Sequence, residues 1–376
     1  MISTFDLGSG LSKRGFKLFS GVPCSYLKSL INYAIDHCDY IGAANEGDAV
    51  AIASGAALGG MRSVVLMQNS GLSNAVSPLT SLNFPFRLPV LGFVSLRGEE
   101  GLGDEPQHEL MGPITTDMLE VMKIPWEFLT PDKSRLESQL AQALDVYLSG
   151  RSFFFVVKKG ILEDLSLKQN SSGLLAKNES LVRLGNQARH SRNEVLLQIS
   201  EALGSEWLVI ATTGHTGREL YEVDDRLNQI YMVGSMGCAS SMGLGLARSQ
   251  PQKKVLVIDG DGALLMRMGN LATLGAYSPK NLFHLCLDNG IHASTGGQAT
   301  VSCGIDIAGV AAACGYTRVL QTSDVENLVN SLIEFNGGLT FTHFPITGAK
   351  KAGLGRPAVS PYEVKQRFML NLGIEL

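Results

Sequence analysis

Two runs of alternating strand and helix patterns, separated by one polar stretch, restrict this chain to a narrow set of folds. In the first run SYLKSLINYAIDH reads as a helix, YIGAANE as a strand end and GDAVAIASGAALGG as a helix of small residues. SVVLMQ and LPVLGFVSL read as strands around the helix LSNAVSPLTSLNF, and the helix KSRLESQLAQALDVYLS precedes the apolar strand FFFVVKKG. The second run holds the helix NEVLLQISEALG, strands WLVIATTG and QIYMVGSM, and the helix GCASSMGLGLARS. It continues with KKVLVIDGDG and NLFHLCLDNG, strands that bracket one helix, LLMRMGNLATLGAYS. Alternation of this kind builds mostly parallel sheets flanked by helices, the α/β class. A chain of 376 residues has room for two such domains. The expected division is a first domain over 1–165, a Ser/Asn-rich linker over 166–191 and a second domain over 192–376.

Composition mainly excludes. With net charge −4 and no long basic run, neither nucleic acid nor an anionic membrane is an expected partner. No apolar run approaches the length of a membrane span, and MISTFDLGSGLSKRG lacks the pattern of a signal peptide. The six cysteines show neither CxxC spacing nor a disulfide framework and are expected to be buried thiols of a cytoplasmic protein.

Chemistry concentrates where VLVIDGDG turns into a helix. Asp261 stands between Gly260 and Gly262, followed by Ala263, at a strand–helix turn. Backbone N–H groups there favour an anion, which a bare carboxylate would repel unless a metal ion lay between them. Leu265 replaces the third glycine of a dinucleotide fingerprint, and no Gly-Lys-Ser/Thr ending marks a Walker loop. Neither nucleotide reading fits. One strand–helix–strand unit further on, NLFHLCLDNG ends in Asn289, which places both residues at the carboxyl edge of neighbouring parallel strands. A carboxylate and an amide oxygen, with a carbonyl nearby, suit Mg²⁺ or Ca²⁺; Mg²⁺ completes its shell with water and phosphate oxygens.

GDG, a helix, a strand and an Asn turn together resemble the signature of thiamine-diphosphate enzymes. The resemblance implies that Asp261, Asn289 and the backbone carbonyl of Ile291 hold Mg²⁺, and Mg²⁺ the cofactor's diphosphate. Asp288-Asn289 stands where the family usually has Asn-Asn, with the ligating position retained. Two further stretches fit. AANEGDAVAIASG sets Glu46 at the head of a small-residue helix, as the family sets its activating glutamate. VGSMGCASSMGLG (Gly234, Ser235, Met236, Gly237) resembles the loop whose apolar residue, here Met236, wedges under the bent cofactor. Taken singly, Glu46 could be a first-turn glutamate favoured by the helix dipole and Met236 core packing; three fits in the right order favour the family. The family would use Glu46 to hold the aminopyrimidine ring in its imino form, while the fold orients and tunes the cofactor. Thr213 and Gly214 fall where a loop contacts the diphosphate. The family's two domain types face each other across a subunit interface, which implies a homodimer or larger homo-oligomer.

Most relatives of this type carry a third, central domain for which this chain has no room. Its brevity, with QNSGLSNAVSPLTSL, RGEEGLGDEPQHELMG, TTGHTGRELYE and DNGIHASTGGQAT, resembles the phosphonopyruvate and sulfopyruvate decarboxylases. That resemblance implies a small 2-keto acid with a second anionic group. The candidates to meet it are Asn69, Ser70, Arg97, Gln107, His108 and His292, with His292 also a candidate proton donor. The Arg97–His108 loop is a candidate cover for the site. Lys158 and Lys159 read as a solvated pair, and His37, His190 and His343 as structural or exposed. Within that branch the resemblance leans to phosphonopyruvate as the expected substrate, giving phosphonoacetaldehyde and CO₂; the alternatives are a sulfopyruvate decarboxylase, a carboligase, and a catalytically silent cofactor-binding subunit.

Overall fold

A computed structural model describes residues 1–168, 177–349 and 351–375. The chain divides into two compact units, Met1–Ser172 and Gly173–Leu376.

The first unit is built on six parallel strands: β1 (Phe16–Gly21), β2 (Asp39–Gly42), β3 (Arg62–Gln68), β4 (Leu91–Ser95), β5 (Trp126–Phe128) and β6 (Phe153–Val157). Their order across the sheet is β2-β1-β3-β4-β6-β5. Strands covered on both faces lose the apolar/polar alternation of a half-buried sheet, and FFFVV of β6 is buried throughout. Side chains still alternate between faces. Phe153 and Phe155 join Leu7, Leu11, Phe19 and Phe93 on one side, while Phe154 and Val156 join Val50, Val65 and Val94 on the other. β1 and β5 were not anticipated, because FKLFSG and WEF are too short to show a period.

The second unit contains β7 (Ser180–Arg183), β8 (Trp207–Ala211), β9 (Gln229–Tyr231), β10 (Lys254–Gly260) and β11 (Leu282–Asp288). A small antiparallel hairpin follows, β12 (Ile291–His292) with β13 (Gln298–Ala299), and then β14 (Arg318–Gln321) and β15 (Thr340–Pro345). Seven of these form a parallel sheet in the order β7-β14-β15-β11-β10-β8-β9.

Three expectations need correction. Part of the anticipated linker, residues 169–176, lies outside the described residues, but SLVR within it is β7, paired with β14. It is an edge strand with exposed side chains, so its sequence looks like a loop. The single helix expected after GDG is two, Asp261–Met266 and Gly269–Tyr277, interrupted at Arg267 and Met268. Finally, only Cys24, Cys238 and Cys286 are buried; Cys38 and Cys314 are half-buried and Cys303 is exposed. Among the described residues no helix is long and apolar enough to cross a membrane.

Candidate active site

Residues expected at the first unit's site gather at the carboxyl ends of its strands. β2 ends at Gly42, and Asn45 caps the next helix, its side chain accepting from Gly47 N at 2.8 Å. Glu46 is thereby the first residue of the helix Glu46–Leu58, whose other twelve residues are buried, as its Ala/Gly-rich sequence permits. Asn74 Nδ2 donates to Glu46 Oε2 at 2.8 Å. The carboxylate also lies on Gly71: a Cβ there would stand 2.1 Å from Glu46 Oε1. Only glycine leaves room for Glu46 in this pose.

Asn69 and Ser70 begin the helix after β3, but only Ser70 is partly open. Asn69 is fully buried; its Nδ2 donates to Arg97 O at 2.8 Å and to Thr115 Oγ1 at 3.0 Å. Through Nδ2 it braces the strand ends, while its Oδ1 has no partner among the described residues. Arg97 is likewise committed. Asp104 accepts from its Nε at 2.7 Å and also from its Nη2, Ser25 Oγ accepts from Nη1 at 3.2 Å, and the guanidinium lies 4.8 Å from the Tyr26 ring centre. Hydrogen bonding to Arg97 holds the Asp104 carboxyl well below the usual range. This pair closes the loop on itself, so the cation expected to meet substrate already has its counter-ion. Gln107 is exposed, whereas His108 is buried with no partner for Nδ1 among the described residues. Lys158, expected to be solvated, pairs with Glu99 and lies 4.7 Å from the Phe128 ring centre.

The second unit assembles its expected residues more tightly. Asp261, 3% exposed, follows β10 directly. Its Oδ2 accepts from Thr300 Oγ1 at 2.5 Å, and the backbone N–H of Asn289 also donates to the carboxyl. Burial pushes the Asp261 pKa up despite these bonds, and the nearby Asp288 adds to the rise. Asn289 Oδ1 accepts from Ile291 N at 3.2 Å, folding the turn so that Asn289 and Ile291 stay together. A Cβ on Gly262 would come within 2.6 Å of His292 Cε1 and 3.3 Å of Met236 Cε. The GDG turn, His292 and the GSMG loop therefore meet at one point. Ser235 in that loop holds a left-handed φ of 51°, a conformation a side chain rarely takes without a compensating role. Ser294 Oγ lies 3.7 Å from where a Cβ of Gly214 would be, which brings the Thr213–Gly214 loop to the same neighbourhood.

Several supporting residues escaped the sequence reading. Asp288 Oδ1 accepts from Gly290 N and Ser302 Oγ, each at 2.9 Å, and Oδ2 meets His343 Nε2 at 2.9 Å. Burial alone would raise the Asp288 pKa, but the bonds from His343, Ser302 and Gly290 outweigh it and leave it lowered. A carboxylate is thus accommodated where the family usually has an amide. Thr300 Oγ1 lies 3.0 Å from Ser302 Oγ, so the two hydroxyls in series link Asp261 to Asp288. Two residues before Asp261, the fully buried Asp259 lies 3.6 Å from His284 Nε2, while His284 Nδ1 meets Tyr316 OH at 2.9 Å. Thr300→Val keeps the shape and removes the bond to Asp261. A hydrogen bond to a charged group contributes about 1.5–3 kcal/mol, so the expected result is a loss of about 10- to 100-fold in divalent-cation affinity in a titration. Unchanged affinity would make Thr300 a spectator.

This chain is 42% identical, over 98% of its length and 94% of the relative's, to a phosphonopyruvate decarboxylase of Streptomyces viridochromogenes. The chain belongs to the thiamine-diphosphate-dependent decarboxylases, in their phosphonopyruvate and sulfopyruvate branch. A family model for the C-terminal thiamine pyrophosphate-binding domain of thiamine pyrophosphate enzymes matches residues 212–341. That span holds Thr213, the GSMG loop, Asp261, Asn289 and His292. A sulfopyruvate decarboxylase of Methanosarcina acetivorans is 29% identical over 97% of this chain and 96% of its own. Among solved structures, benzoylformate decarboxylase of Polynucleobacter necessarius aligns with a TM-score of 0.70 at 12% identity, covering 93% of this chain and 100% of that one, which shows the fold. The decarboxylase is a thiamine-diphosphate-dependent carbon–carbon lyase.

Proposed function

We propose that this decarboxylase converts 3-phosphonopyruvate to phosphonoacetaldehyde and CO₂, in the cytoplasm, as a step of phosphonate biosynthesis. The observation that carries the substrate is the gradient of similarity: 42% identity to phosphonopyruvate decarboxylases against 29% to the sulfopyruvate decarboxylase, each over nearly the whole chain.

Mg²⁺ is the ion the donor set favours. Asp261, Asn289 and the Ile291 carbonyl are all oxygen donors, and a buried carboxylate with a raised pKa, close to a second carboxylate, calls for a cation. In this reading those three hold the metal. Thr213, Gly214 and the backbone of Gly260, Gly262 and Ala263 would hold the cofactor's diphosphate, and the loop Gly234–Gly237, with Met236, would hold its ring system. When bound, thiamine diphosphate supplies the electron sink that lets a 2-keto acid lose CO₂. Glu46 holds a proton at the cofactor's aminopyrimidine nitrogen, fixed in place by Asn74. His292 packs on Gly262, and in this reading it would deliver a proton to the decarboxylated product. The working form is a homodimer or larger homo-oligomer.

The test is ³¹P NMR of phosphonopyruvate incubated with enzyme, thiamine diphosphate and Mg²⁺. Phosphonoacetaldehyde equal to the CO₂ released supports the reading. A ligated product would make the protein a carboligase, and an unchanged spectrum would exclude phosphonopyruvate as substrate.

A further inference from the structure

A substrate with two anionic ends needs a cation for the second one, and the sequence offered Arg97. Because Asp104 neutralises Arg97 and Glu99 pairs with Lys158, that role is unfilled among the expected residues. The second unit contains a different candidate. A cavity of about 430 Å³ opens at the carboxyl ends of β8 and β9, lined by Thr213, Gly214, Met232, Arg218 and Arg356 among others. Arg218 is half-buried on the helix His215–Val223, and Arg356, which is exposed, belongs to the segment between β15 and the helix Pro361–Asn371.

Neither guanidinium has an ion-pair partner among the described residues, although acids are plentiful on and after that helix. Each of those acids is already engaged. Glu219 meets Arg192 at 2.8 Å, Glu222 meets Lys351 at 2.8 Å, Asp224 meets Arg226 at 2.5 Å, and Asp225 pairs with Arg367. The segment carrying Arg356 is fastened to the helix carrying Arg218. Gly355 N donates to Glu222 Oε1 at 2.8 Å and Ala358 N to Tyr221 OH at 3.3 Å. The fold thus spends an ion pair and two hydrogen bonds to bring two like charges to one cavity. Two forked donors of this kind match the oxygens of a phosphonate or sulfonate.

We propose that Arg218 and Arg356 form the subsite for the second anionic group of the 2-keto acid. This rests on the reading of the protein as a decarboxylase of such an acid. The cofactor's diphosphate is the other possible source of an oxyanion. Thr213 and Gly214, which would contact that diphosphate, also line this cavity, so position does not separate the two. In this reading the diphosphate has its own cation at Asp261 and Asn289, whereas the second anionic group has none.

Three variants of the holoenzyme test the subsite: Arg218→Gln, Arg356→Gln and Arg356→Lys. Three readouts are taken: calorimetric binding of 3-phosphonopropionate, KM for phosphonopyruvate against pyruvate, and thiamine diphosphate affinity by fluorescence quenching. Each Gln variant is expected to weaken 3-phosphonopropionate at least tenfold and to raise the KM of phosphonopyruvate at least tenfold more than that of pyruvate. Thiamine diphosphate affinity stays within about twofold, which also shows that the variants are folded, and Arg356→Lys recovers part of the loss. Equal effects on both substrates together with weaker cofactor binding would assign the arginines to the diphosphate and overturn the inference. Unchanged binding and KM would overturn it as well. Should the wild type turn over sulfopyruvate alone, the proposed substrate fails separately. The same tenfold loss, read with 3-sulfopropionate, would then still support the subsite, and no loss would overturn it.

Discussion

Asp261→Ala is expected to abolish Mg²⁺-dependent binding of thiamine diphosphate, with a loss of at least about 100-fold in affinity. Groups that only support a metal ligand already account for about 10–100-fold, and Asp261 is the one carboxylate in the proposed ligand set. Fluorescence titration of cofactor with and without Mg²⁺ measures the loss. Unchanged affinity would remove Asp261 from the site. The raised pKa adds a signed expectation, because a proton and a metal compete for the same oxygens. Cofactor affinity in Mg²⁺ should therefore begin to fall, as pH drops, at a higher pH than an ordinary carboxylate would dictate. In the apoprotein the sign is opposite. A carboxyl whose folded pKa lies above its unfolded value costs stability as pH rises past the unfolded value, and this cost is complete above the folded value. Asp261→Asn removes that cost, so its apoprotein should melt no lower than wild type at neutral pH. A lower melting temperature would make Asp261 a structural residue instead.

Glu46→Gln is expected to bind thiamine diphosphate normally and to lose turnover by about 10²–10⁴-fold, the range for a positioned proton-transfer group. Glutamine keeps the shape that fits against Gly71 and can still accept from Asn74 with its amide oxygen. The change therefore isolates the carboxylate's charge. Two measurements separate binding from chemistry: cofactor affinity, and the rate at which the C2 proton of bound thiamine diphosphate exchanges with deuterated solvent. A slowed exchange with normal affinity is the predicted pair. A kcat within about twofold of wild type would exclude Glu46 from proton transfer.

How far the sequence could be read followed from how local each feature is. The strand–GDG–helix turn and the Asn289 turn are short contiguous patterns, and the structure places Asp261 and Asn289 side by side at adjacent strand ends. The position of Glu46 at a helix start was legible for the same reason, since a cap, a helix start and a run of small residues all fall within one segment. Contacts between distant segments were not legible. Thr300 reaches Asp261 across 39 residues, and His343 reaches Asp288 across 55. Arg97 shows how a pattern can mislead: its loop looks open and charged in sequence, but the charges of Arg97 and Asp104 cancel each other. Arg356 gave no signal, because its meaning depends on Glu222 and Tyr221 holding its segment against another helix. β7 was hidden because an exposed edge strand has no buried face to impose a period.

The central claim is that this is a cofactor-dependent decarboxylase of phosphonopyruvate. Its most direct test is CO₂ release from phosphonopyruvate, sulfopyruvate and pyruvate by purified enzyme with thiamine diphosphate and Mg²⁺, with EDTA-treated and cofactor-free controls. The account predicts release that needs both cofactor and metal, with kcat/KM highest for phosphonopyruvate. A preference for sulfopyruvate or pyruvate, or release that survives EDTA and cofactor removal, would contradict it.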